Sequence, residues 1–176
     1  YNSTPNCIDI EFGIGGTFGK RTGTTSMNSV ALTGTAGWAS FDFGASALRW
    51  HVVAAGTGIF ASSNRGVSYV AVATDRSQVS QHFERSKNLL IATSETHNRV
   101  LYWSGSAGTF FLGMPIGSAP AAKHAMDFAG YLLLMNNSGG NGRTVYYNDN
   151  NAIATGAFSS TFSVDATDND EITGGI

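Results

Sequence analysis

Along this chain, short apolar or β-branched runs of about four to eight residues are separated by clusters of Gly, Asn and Ser, the strand-and-turn pattern of an all-β fold. No segment carries an apolar stripe at helical spacing. The polar stretch 77–87 is the one place that admits a helical turn or two.

Three of the runs resemble one another. Trp50–Ser62 reads as an apolar strand, a Gly-containing turn and a second short strand. Leu89–Ser94 leads through 95–99 to Val100–Gly105, and Tyr131–Asn136 leads through 137–143 to Thr144–Asn148. Each is a hairpin with an apolar first strand, and their apolar cores begin at Val52, Leu89 and Leu132, about 37 and 43 residues apart. That interval is the size of a propeller blade. Segments 69–74, 109–113 and 160–165 supply further strands. The unbroken run Leu89–Ala92 suits an inner strand buried on both faces, whereas Tyr69–Val72 suits one nearer the rim.

The expected architecture is therefore an all-β, β-propeller-like domain over 1–176. Its N-terminal strands lie in 1–46, with approximate blade units at 47–87, 88–129 and 130–176. One blade cannot bury its faces alone, and stacking blades around an axis does so. Three to four units are few for a closed ring. The opening Tyr1 and the ending at Ile176 suggest an incomplete part of a larger propeller, or units packed as an open stack. An ordinary β-sandwich is the plainer alternative.

Composition narrows the function classes. Charged residues make up 12% of the chain, about half the usual share, and 22 Gly against 3 Pro indicate many tight turns. The formal net charge of −2 gives no footprint for tight binding along a nucleic-acid backbone, though transient contact with DNA is compatible with it. The single cysteine, Cys7, sits among Ile8, Ile10 and Phe12 and reads as a small buried hydrophobe. No apolar run is long enough to span a membrane as a helix, and the polar opening has no signal-peptide pattern.

Several features imitate chemistry. Gly13–Thr22 is Gly-rich, but a phosphate-binding loop needs Gly where Ile14 stands and Ser or Thr where Arg21 stands. A hairpin turn between Ile8–Phe12 and Phe18–Arg21 explains it. His51, His82, His97 and His124 have no neighbour at metal-ligand spacing; His51 lies in an apolar strand and His97 in a turn. A Ser-His-Asp set assembles in space and leaves no required order in sequence, but Gly105–Gly108 lacks the spacing of a nucleophile elbow. The stretch Asp165–Glu171 holds Asp168, Asn169 and Asp170, oxygen donors suited to calcium, without the Gly and Glu of an EF-hand loop. A polar β-turn is the simpler reading. Tyr102, Trp103, Tyr146 and Tyr147 fit cross-strand packing, with a sugar-binding face as the alternative. No catalytic, cofactor-binding or metal-binding residue is expected, no cofactor is implied, and the chain does not read as an enzyme.

Five stretches together resemble one family. Ser3–Phe12, the following Gly15–Gly23 with its Lys20-Arg21 pair, Leu101–Gly105, Ala121–Gly130 and Val164–Gly174 are similar, in order and spacing, to the N-terminal part of propeller-bearing tail proteins of short-tailed phages. These are the tail nozzle and packaged-DNA stabilisation (tail hub) proteins. Two positions depart from the pattern: Asp127 stands where the family has Arg, and Ser104 where it has an acidic residue. The resemblance implies a structural virion protein, located in the phage tail, that forms a homo-oligomeric ring retaining and channelling DNA. Its partners would be copies of itself, a portal or adaptor and other tail proteins, with no membrane. Two alternatives remain: a carbohydrate-binding host-attachment module using the loops from Asn136 to Asn151, and a propeller glycosidase using carboxylates of 165–171.

Overall fold

The computed structural model describes residues 10–12, 18–20, 32, 37–45, 48–74, 76, 81–94, 96, 99–114, 119–137, 142–148, 153 and 157–164. Among the described residues there is no helix. A short antiparallel hairpin, β1 (Ile10–Phe12) with β2 (Phe18–Lys20), comes first. Three four-stranded antiparallel sheets follow, each a simple meander.

The first blade is β3 (Gly37–Ala45), β4 (Leu48–Ala55), β5 (Gly58–Ser62) and β6 (Val70–Ala73). The second is β7 (Gln81–Ser86), β8 (Leu89–Ser94), β9 (Leu101–Trp103) and β10 (Leu112–Gly113). The third is β11 (Ala122–Phe128), β12 (Tyr131–Asn137), β13 (Thr144–Tyr147) and β14 (Ser160–Ser163). The chain is thus all-β with propeller-like blades. The recurring hairpins form the second and third strands of each sheet. Those second strands begin at Leu48, Leu89 and Tyr131, intervals of 41 and 42 residues.

The first strands were not marked by an apolar run. Segment 77–87, which admitted a helical turn, instead carries β7 over Gln81–Ser86, paired along its whole length with β8. Its polar side chains are tolerated because the strand lies at the inner edge of its sheet, packed against β3 and β11. The first strands of the three sheets therefore gather along one line, as inner strands do around a propeller axis.

Alternation along β8 joins the blades. Leu90 and Ala92 face blade 1, where they meet Trp50, Val52, Ile59 and Ala61; Ile91 faces blade 3, where it meets Leu132 and Leu134. A strand covered on both faces has no need of a polar face, so it reads as a continuous apolar run. By contrast Val70, in the outer strand β6, is 58% exposed.

Tryptophans fix the first interface. Trp103 is fully buried, with ring centroids 5.2 Å from Trp50, 6.2 Å from Phe43 and 5.5 Å from Phe111. Trp50 Nε1–H donates across the interface to the Gly105 carbonyl at 2.7 Å. In blade 3 the tight β11–β12 turn uses Ala129 (φ 51°) and Gly130 (φ 84°). Two positive φ values give the turn whose twist matches paired strands.

Candidate functional site

A concentration of polar side chains lies at one end of blade 1. In a meander, the first-to-second and third-to-fourth connections fall at the same end of the sheet. The β3–β4 end brings Leu48 and Arg49, the β5–β6 connection brings Ser63, Arg65 and Tyr69, and Arg85 reaches in from β7 of the neighbouring blade. Together they line a groove of about 1060 Å³, partly open to solvent.

Strand register builds its wall. Asp42, His51 and Ser62 are cross-strand partners on β3, β4 and β5, and so share one face. His51 Nδ1–H donates to Asp42 Oδ1 at 2.8 Å, which leaves Nε2 as the uncommitted ring nitrogen. The Tyr69 ring stands edge-on to His51 at 6.1 Å. Burial, with a further contribution from the Asp42 carboxylate, pushes the Tyr69 phenol above its ordinary pKa and keeps it a hydroxyl donor.

An aligned Asp-His-Ser row has the residue types of a nucleophilic triad, but its geometry is different. The Ser62 hydroxyl donates to Asn64 Oδ1 at 2.8 Å and accepts the buried Gly66 N–H at 2.8 Å. Its proton is committed to Asn64 rather than His51. Ser62 is a pin for the 62–68 loop, with Asn64 Oδ1 in turn accepting Ser68 N–H at 3.0 Å.

Electrostatically the groove is basic. Three of the chain's ten Lys and Arg residues line it. Among the described residues, the ion pair at this site joins Asp42 to His51, and no carboxylate pairs with Arg49, Arg65 or Arg85.

The other sequence candidates fall elsewhere. His82 and His124 meet edge to face at 4.8 Å, brought together by the neighbouring strands β7 and β11. Among the described residues no group of three His, Cys, Asp or Glu side chains could hold a metal ion. Asp127 accepts a hydrogen bond from Ser86 across the second interface. Ser104 closes its own turn, donating to Ser106 Oγ at 3.1 Å. Cys7, Gly13–Thr17, His97 and the acidic stretch 165–171 lie outside the described residues.

The aromatic candidates divide by face. Trp103 packs into the first interface, and Tyr102 and Tyr146 pack toward the second. Tyr147 points the other way, onto the face of blade 3 that faces away from blade 2. Registers Phe128↔Tyr131, Leu133↔Tyr147 and Val145↔Phe162 place those side chains on one surface. Tyr131–Tyr147 and Tyr147–Phe162 are in ring contact at 6.3 and 6.2 Å. Phe128 is 62% and Phe162 48% exposed there.

Asp42, Arg49, Arg65 and Arg85 were missed as site residues. One signal existed: a hairpin centred on 46–47 pairs Asp42 with His51. No protein-family model, curated protein or solved structure matches the chain.

Proposed function

We propose that the chain is a structural subunit of a phage tail, of the hub or nozzle type, which associates with copies of itself into a ring that retains and channels DNA. The observation that carries this reading is the partly exposed aromatic row on the face of blade 3 that points away from blade 2. A row formed by Phe128, Tyr131, Tyr147 and Phe162 lies on a sheet surface of the same kind that, one blade earlier, is covered by a neighbour. A fully covered aromatic side chain buries about 150–250 Å², and stable interfaces bury upward of about 1,000 Å². The row supplies the apolar centre of such an interface, and polar strand residues supply its rim.

Low charge supports the same reading. Charged residues are 12% of the chain, so repulsion between identical subunits in a ring is small. The order and spacing of the five tail-protein-like stretches add the phage assignment. The test is localisation. Gold-labelled antibody against the chain, applied to purified particles of its source, is expected to mark the tail. Label confined to host cytoplasm, with the chain missing from particles by mass spectrometry, rejects the assignment.

A further inference from the structure

The basic groove is built at the end of blade 1, with Arg85 of blade 2, and shares no residue with the aromatic row of blade 3. Its lining combines two chemistries. Arg49, Arg65 and Arg85 present planar, permanently charged forks suited to carboxylate or phosphate. Beside them Asp42, His51 and Tyr69 offer acceptors and donors of the kind that hydroxyl groups engage. A volume of about 1060 Å³ exceeds what one small anion fills and is at the upper end of organic-ligand sites.

Asp42 separates the candidate anions. Its carboxylate is 89% exposed at the groove wall and would repel a phosphate-dense chain, yet it accepts readily from sugar hydroxyls. The overall charge of −2 likewise offers no extended track for a nucleic-acid backbone. We propose that this groove binds a carboxylate-bearing oligosaccharide. Arg49, Arg65 and Arg85 take its acidic groups; Asp42, His51 and Tyr69 take its hydroxyls.

Calorimetric titration of the full chain tests this with oligogalacturonate, sialyllactose and hyaluronan oligomers as probes. Their methyl esters and a single-stranded oligodeoxynucleotide of matched charge serve as comparisons. At least one acidic saccharide is expected to bind, and its ester about tenfold or more weakly. Arg49→Gln and Arg65→Gln should each weaken binding by about tenfold. Lys123→Gln, an equal loss of charge on another blade, should leave it unchanged. Unaltered thermal melts of the variants show that the fold is intact. Absence of binding by all three saccharides at millimolar concentration, undiminished ester binding, or tighter binding of the oligonucleotide overturns the proposal. Because each assay reads a different surface, a monomeric protein that binds the saccharide would reject the ring and keep the groove.

Discussion

Replacing Trp103 with Ala removes the largest fully buried side chain from between two sheets. The ring touches Phe43 and Trp50 on blade 1 and Phe111 on its own blade, and its Nε1–H donates to Thr109 Oγ1 at 2.9 Å. Truncating a buried aromatic to Ala costs about 3–5 kcal/mol through lost burial and the cavity left behind. That is a large fraction of the roughly 5–15 kcal/mol that holds a domain folded. Trp103→Phe retains ring packing and loses mainly the hydrogen bond. Thr109 keeps its bond to the Ser106 carbonyl at 2.6 Å, so no buried acceptor is stranded. The expected cost of that milder change is about 1–2 kcal/mol. Urea unfolding followed by far-ultraviolet circular dichroism reads both, and the denaturant slope should stay constant if folding remains two-state. Phe110→Ala, at a ring 62% exposed, is the surface control and should fall within about 0.5 kcal/mol of the parent. A Trp103→Ala cost near that of the control would show that blades 1 and 2 do not depend on this contact.

Other expectations follow from the same contacts. Burial, reinforced by the nearby Asp127 charge, raises the Glu84 pKa above its ordinary value despite opposing backbone hydrogen bonds. A raised carboxyl pKa means the folded state holds the proton more tightly, so this contribution to stability is present below the unfolded-state pKa and lost as pH rises through the folded one. Glu84→Gln should therefore raise the melting temperature at neutral pH and lose that advantage in acid; an equal shift at both pH values would contradict it. Ser62→Ala leaves the buried Gly66 N–H without its acceptor, a cost of about 1–3 kcal/mol. Hydrogen exchange should quicken at Asn64–Ser68 and stay unchanged in β8. Phe162→Asp places a charge on the aromatic face and should dissociate assemblies without lowering the melting temperature of the isolated chain.

Strands whose burial is one- or two-sided were readable from sequence, and strands at the polar inner edge were not. Leu89–Ala92 announced its double burial because neighbours cover both of its faces. β7 gave no such signal, since Gln81 accepts from the Arg76 guanidinium at 3.0 Å and Ser86 donates to Asp127. Those partners are supplied by tertiary structure and leave no periodicity. The groove was illegible for a related reason. Asp42, Arg65 and Arg85 are far apart in sequence and converge only when two loops and a neighbouring blade meet. The aromatic pairs were legible as packing residues, but which face each served depended on register. Tyr146 and Tyr147 are adjacent in sequence, and alternation sends them to opposite sides of blade 3.

Electron cryomicroscopy of the purified chain tests the assembly most directly. Closed rings in which a second copy covers Phe128, Tyr131, Tyr147 and Phe162 are the predicted result. Solitary chains at tens of micromolar concentration, with that face still open to solvent, would contradict it.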